Sequence, residues 1–247
     1  MSPAFLIPSP AGPAIFQLKL VMIQFNYYMG RLYIVSTPIG NIKDISIRAI
    51  EVLSQVDLIL CEDTRRTGSL LKKLKINRPR FLSFYEENEE KRIMQVIRKL
   101  IEGQQIALVS SAGTPLLSDP GFKLVRECVK QKINLVSVPG PSALLAGLVI
   151  SGLPMDKFMF LGFLPKKRGK KTRLLETVFK AVEFMPQTVI FYESPFRILK
   201  TLRLLNDLVP DANLVIGREL TKQFEEVLRG KPGELIKQIE DRKLKGE

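Results

Sequence analysis

The strongest constraint on this chain is an alternation that begins at Arg31 and runs nearly to its end. Short apolar, β-like runs are separated by stretches in which apolar residues recur every three or four positions. Strands alternating with amphipathic helices predict an α/β fold with a largely parallel sheet. Leu32–Val35, Asp57–Cys61, Phe81–Phe84, Ala107–Val109 and Leu135–Val138 read as the strands of a first half. Ile47, Ile50, Leu53 and Val56 mark one intervening helix; Ile93, Val96, Ile97, Leu100 and Ile101 mark another, with Asn88 as its cap and Gly103 as its stop. Ser151-Gly152-Leu153-Pro154 punctuates the pattern. It resumes with strands at Phe158–Leu161, Thr188–Phe191 and Leu214–Ile216, helices ending near Phe184 and spanning Ile198 to Leu205, a polar segment after Arg218, and a last helix from about Glu234 to Lys243. The expected organisation is an extension over residues 1–28, one α/β domain over 29–152 and a second over 153–247.

Within this alternation, Ala107–Gly121 (ALVSSAGTPLLSDPG) reads as a buried strand running into a binding loop. Small residues let a ligand approach the backbone, and in open α/β sheets such loops lie at the carboxyl ends of strands, where ligands bind. Asp119 followed by Pro120 predicts an N-cap and a proline at the first helical position. An ordinary strand-to-helix connection would look the same.

The chain has no histidine. Ser-His and Cys-His nucleophilic machinery and His-ligated zinc are thereby excluded, so a general base must be a carboxylate, lysine, tyrosine or cysteine. Cys61 and Cys128 sit in apolar patterns without a partner at metal-ligand spacing, and are read as core thiols of a reducing compartment. Lys and Arg outnumber Asp and Glu by 38 to 25, a net charge of +13. That surplus favours a polyanionic partner, although solubilising surface gives the same sign.

Residues 1–28 carry one charge, Lys19, and several prolines. They match neither a signal peptide nor a membrane span, so translation is expected to start at Met29. A cytoplasmic protein without a membrane anchor is expected. No GxGxxG follows the first strand, which disfavours a dinucleotide-dependent oxidoreductase.

TPIGN at Thr37–Asn41, EDTRRTG at Glu62–Gly68, AGTPLLSDPG at Ala112–Gly121, PGPSA at Pro139–Ala143 and YESPFR at Tyr192–Arg197 occur in that order, together with GFLPKK at Gly162–Lys167 and RELTKQFEE at Arg218–Glu226. From Met29 onward the chain thus closely resembles the tetrapyrrole methylase family of S-adenosylmethionine-dependent enzymes, and within it the methyltransferases of small-subunit ribosomal RNA. The resemblance implies two α/β domains with the cofactor in the cleft between them, and a homodimer. It implies 2′-O-methylation of a cytidine ribose in the decoding region of 16S ribosomal RNA, with the small ribosomal subunit as partner and no metal. Carried onto this sequence, the cofactor-contacting segments are Thr37, Pro38, Gly40 and Asn41; Ser111, Ala112, Gly113, Thr114 and Pro115; and Ser142 and Ala143. A tetrapyrrole-type small-molecule methyltransferase and a catalytically impaired RNA-binding relative are the alternatives.

The chain departs from the resemblance at several places. Ser111 stands where such proteins carry aspartate, while Arg66, Tyr85, Glu87 and Phe196 occupy places that carry histidine there. The chain also stops at Leu244–Glu247, where such proteins continue into another strand.

Methyl transfer to a hydroxyl is an in-line displacement that needs the acceptor positioned and deprotonated. Glu62, Asp63 and Glu193 are the candidate bases, each at a strand end; helix capping and pairing with Arg65 or Arg66 are the structural alternatives. Lys166, Lys167, Arg168, Lys170, Lys171 and Arg173 place six cations within eight positions. They are read as an RNA-contacting run that Arg65, Arg66 and Arg197 extend. No aromatic stacking signature is legible beside it.

Overall fold

A computed structural model describes residues 29–77 and 80–242. The expectations for residues 1–28 and for the stop at Leu244–Glu247 fall outside them.

Five strands, β1 (Arg31–Val35), β2 (Leu58–Cys61), β3 (Phe81–Ser83), β4 (Ile106–Val109) and β5 (Asn134–Val138), form a parallel sheet in the order β3-β2-β4-β1-β5. The central strands β2 (LILC) and β4 (IALV) are buried at every position, because helices cover both faces. Side chains alternate across the sheet. Leu58, Leu60, Ile106 and Leu108 pack with α3 (Glu89–Ile101) through Val96, Ile97 and Leu100, and with α4 (Phe122–Lys130) through Leu124 and Cys128. Ile59, Cys61, Ala107 and Val109 face α1 (Ile47–Gln55) through Ala49 and Leu53, and α2 (Thr64–Lys73) through Leu71. Each fully buried Leu or Ile contributes roughly 1.5–3 kcal/mol.

Two helix starts are set by side chains outside the apolar pattern, and the second differs from the sequence reading. Ser46 caps α1 by accepting the Ala49 N–H, which leaves Ile47 at the first position and 77% exposed. The expected Asp119-Pro120 start of α4 is not formed: Gly121 is the N-cap and the helix begins at Phe122. The carboxylate of Glu89, at the start of α3, accepts the N–H groups of Gly121, Lys123 and Leu124 at 3.1–3.4 Å. A side chain from another helix thus satisfies the donors that a local cap would have taken, and Asp119 is released for other contacts.

After α5 (Ala143–Val149), β6 (Phe158–Phe163) and β7 (Thr188–Tyr192) pair in parallel, whereas β8 (Leu214–Arg218) and β9 (Glu226–Gly230) form an antiparallel hairpin. The sequence reading has β9 as part of a polar segment. The helices α6 (Arg168–Phe184), α7 (Ile198–Leu208) and α8 (Pro232–Ile239) enclose a third core of Leu164, Leu175, Leu202, Leu205, Leu235 and Ile239. No described helix is long and apolar enough to cross a membrane.

Candidate functional site

Strands β4, β1 and β5 are neighbours, so the loops that follow them emerge side by side at the carboxyl edge of the sheet. Short bonds join these loops. Thr37 and Gly113 exchange two N–H to carbonyl bonds of 2.9 Å in an isolated antiparallel bridge. The Ser36 hydroxyl donates to Thr114 Oγ1 at 3.1 Å, and the Thr114 hydroxyl donates to the Pro141 carbonyl at 3.0 Å. Thr37 Oγ1 donates to the Ser110 carbonyl at 3.4 Å. Small residues are required here: Gly113 has φ +81°, and a Cβ on Gly140 would stand 3.0 Å from that of Ser36. The result is a shared surface of backbone groups and short side chains.

Most of the expected cofactor residues meet on that surface. Thr37, Gly113, Pro115 and Ser142 are buried; Pro38, Ser111, Thr114 and Ala143 are half-buried, and Gly40, Asn41 and Ala112 are exposed. Ser142 is the N-cap of α5 but makes no side-chain cap bond. Asn41 caps the 3-10 turn Ile42–Asp44 by accepting the Lys43 N–H, while its own N–H donates to Thr221 Oγ1 at 3.0 Å. The loop after β1 is thereby tied to the loop between β8 and β9.

The three candidate carboxylates differ in their partners. Asp63 is the N-cap of α2, accepting the N–H groups of Arg65 at 2.8 Å and Arg66 at 3.3 Å; those two bonds hold it below the usual carboxylate range. The Glu193 side chain is 2% exposed and binds Lys171 Nζ at 2.8 Å, Arg197 at 2.6 Å and the Thr201 hydroxyl at 2.7 Å. Burial pushes it up, but the bonds from Lys171, Thr201 and the Ser194 N–H outweigh that and hold it low. Both are committed to structural bonds. Glu62 lies against the central loop, where Oε2 accepts the Ser111 hydroxyl at 2.8 Å and the Ser111 N–H at 3.4 Å.

Asp119 joins Glu62 there. Burial, and then the charge of Glu62, push its carboxyl up to about 6, with the Ser110 hydroxyl pulling the other way. Its charge also acts on Tyr192 at the end of β7, whose phenol is raised first by burial. Sequence reasoning assigned Asp119 to the cap of α4 and missed it as a site residue. The SDPG motif was the signal, since a cap supplied by Glu89 leaves that aspartate without a local duty.

The basic run requires a correction at Lys171. Lys166, Lys167, Arg168, Lys170 and Arg173 are exposed, but Lys171 is buried and donates to both Glu193 and Thr201. With α6 starting at Arg168, Lys171 falls on the inward stripe of Leu175 and Val178, so it cannot serve a phosphate. Arg197 is largely engaged as well, donating to the Leu164 carbonyl at 3.3 Å besides its pairing with Glu193. Arg65 and Arg66 are exposed on α2.

Comparison with known proteins agrees with this architecture. A Thermotoga maritima protein named "Ribosomal RNA small subunit methyltransferase I" is 48% identical over 219 residues, covering 89% of this chain and 96% of that protein. One of the same name from Escherichia coli O157:H7 is 47% identical over 223 residues, covering 88% of this chain and 76% of its own length. The crystal structure of a cobalt precorrin-4 methyltransferase of cobalamin biosynthesis superposes with a TM-score of 0.60 at 16% identity, covering 84% of this chain and 88% of that one. A uroporphyrin III C-methyl transferase from Thermus thermophilus gives 0.57 at 15%, covering 88% and 94%. The sequence model of the tetrapyrrole (corrin/porphyrin) methylases matches residues 31–236, from the first strand to the last helix, and the chain belongs to that family.

Proposed function

We propose that this chain is an S-adenosylmethionine-dependent methyltransferase of small-subunit ribosomal RNA, acting on the ribose 2′-oxygen of a cytidine in the decoding region. Identity of 46–48% over 88–89% of this chain and 76–96% of proteins named for that RNA supports the substrate class. The observation that carries the chemistry is the meeting of the joined loops with the Glu62 and Asp119 carboxylates. The residues fit the cofactor: Gly113, at φ +81° and with Ile39 only 3.3 Å from where a Cβ would stand, keeps backbone groups rather than a larger side chain at the loop, and two carboxylates stand where a cationic sulfonium gains from negative charge. When bound, S-adenosylmethionine supplies an electrophilic methyl group.

The residues that would hold it are Thr37, Pro38, Gly40, Asn41, Ser111, Ala112, Gly113, Thr114, Pro115, Ser142 and Ala143. Of the three candidate bases only Glu62 stands at the central loop, and Asp119, which the sequence reading did not name as a base, joins it; Asp119, raised towards neutrality, is the better matched to taking the single proton of the ribose hydroxyl. Lys166, Lys167, Arg168, Lys170 and Arg173 hold phosphates. Two domains, 29–152 and 153–247, bound the cleft, a division supported by the separate core formed by the residues after Leu164. A homodimer is supported by the exposed apolar residues Leu145, Val149 and Ile150 around α5, and sedimentation at the mass of one chain would refute it. A ribosomal substrate and two reduced, buried cysteines favour the cytoplasm.

Small ribosomal subunits lacking the modification, incubated with tritiated S-adenosylmethionine, are expected to yield a labelled dinucleotide resistant to alkali. Alkaline cleavage needs a free 2′-hydroxyl. Label that alkali releases as mononucleotide would overturn the 2′-O assignment, and absence of transfer would overturn the methyltransferase reading.

A further inference from the structure

Two phenylalanines beside the basic run are left in solvent. Phe196 is 90% exposed and Phe163 is 58% exposed, although Phe163 is the last residue of β6 and Phe196 lies in the turn after β7. The Phe196 backbone is fixed in a turn, its N–H donating to Ser194 Oγ at 3.3 Å, while the N–H groups of Arg197 and Ile198 donate to the Ser194 carbonyl. Phe163 pairs in register with Tyr192 and rests on its ring at 5.4 Å; the Tyr192 ring in turn meets Phe160 edge-on at 5.0 Å. Neither side chain is on a loose tail.

The two positions are tied to each other and to the cations. Arg197, next to Phe196, donates to the carbonyl of Leu164, next to Phe163, and pairs with Glu193; Glu193 also holds Lys171 at the start of α6. Exposed Lys166, Lys167, Arg168 and Lys170 lie between those anchors. This unit also abuts the loop that leads to Asp119: a Cβ on Gly162 would lie 3.1 Å from Ser118 Oγ. By contrast Phe184, 92% exposed, ends α6 some 16 residues and roughly 24 Å further on, away from the run.

We propose that Phe163 and Phe196 form a stacking platform for unpaired bases of the substrate RNA, with the neighbouring cations holding the phosphates between those bases. The inference rests on the RNA reading above and extends it to how the strand is gripped. Flat aromatic faces bind bases without regard to sequence, and a cationic flank supplies the complementary charge. The same cations argue against a second copy as the occupant, since a two-fold interface would set this positive face against itself.

The test compares binding of the full chain to a single-stranded RNA of roughly ten nucleotides, within the range of such sites, and to a strand of equal length with the same sugar-phosphate backbone and no bases. Phe196→Ala and Phe163→Ala are each expected to weaken the base-bearing strand about tenfold, leaving the abasic strand and cofactor affinity unchanged. Phe196→Tyr should restore binding, and Lys167→Glu should weaken both strands. Equal losses on both strands, no loss on either, or dissociation of a dimer by Phe196→Ala would overturn the platform. If wild-type protein methylates subunits yet does not distinguish the strands, only the platform falls. If it binds neither strand and transfers no methyl group, the RNA reading falls with it.

Discussion

Ser111 and Asp119 show how a single residue sets the charge of this site. The Ser111 hydroxyl donates to Glu62 at 2.8 Å, a bond that an aspartate could not make without adding a third negative group beside Glu62 and Asp119. Ser111→Asp is therefore expected to tighten S-adenosylmethionine binding about tenfold, the scale of one charged contact, while lowering the melting temperature of the free protein through like-charge repulsion. Calorimetric affinity that stays the same or weakens would refute it. For Asp119 the sign of the linkage is the reverse of the usual carboxylate case. Its folded value, about 6, lies above the ordinary one, so the proton is held more tightly in the folded state. The stability this confers is present at low pH and lost as pH rises through about 6. Asp119→Asn should raise the melting temperature above that pH and leave it unchanged below about 4, the ordinary carboxylate value. It should also slow methyl transfer by roughly 10²–10⁴-fold and abolish the acid limb of the rate profile. An unaltered rate would remove Asp119 from the chemistry.

Among the elements, α6 couples a solvated basic run to a buried ion cluster. Lys171 is 7% exposed and Glu193 2%, and removing one partner strands a buried charge. Lys171→Met is expected to cost roughly 3–5 kcal/mol of stability, whereas Lys170→Ala, one position away and exposed, should stay within about 0.5 kcal/mol. Equal and small effects by denaturant titration would show that the cluster is not a structural anchor. The same helix shows why only part of the fold was legible in the sequence. β2 and β4 were readable because a strand covered on both faces is apolar throughout, and the strand-end loops because small residues, glycine and proline punctuate them. Lys171 was not, since a run of like charges hides its helical phase until the first residue of α6 is known. β9 was hidden because the charge of Glu226 is met across the hairpin, where it pairs with Arg218 at 2.6 Å. The start of α4 was misread because its cap, Glu89, comes from 32 residues earlier in the chain. In each case the deciding partner lies outside the element, 8 to 32 residues away, and no pattern within the element itself encodes it.

For the whole molecule the question is whether a net charge of +13 acts at one place or everywhere. A field spread over the surface would speed encounter with any polyanion, whereas a gripping run releases a fixed number of counterions when it binds. The two are separable by salt. Neutralising Lys166, Lys167, Arg168, Lys170 and Arg173 to Gln is expected to flatten the slope of log affinity for small ribosomal subunits against log salt, by roughly 0.7–0.9 for each phosphate that the run no longer neutralises. Cofactor affinity should not move, because none of these side chains belongs to the loops after β1, β4 and β5. The matching control neutralises Lys72, Lys73, Lys75, Lys130 and Lys132, which are also exposed but lie at the ends of α2 and α4. That variant loses the same formal charge, and its slope should stay close to that of the unaltered chain. Equal flattening in the two variants would mean that the subunit responds to total charge alone. In that event the RNA grip would have to be sought among Arg65, Arg66 and the other exposed cations rather than on α6.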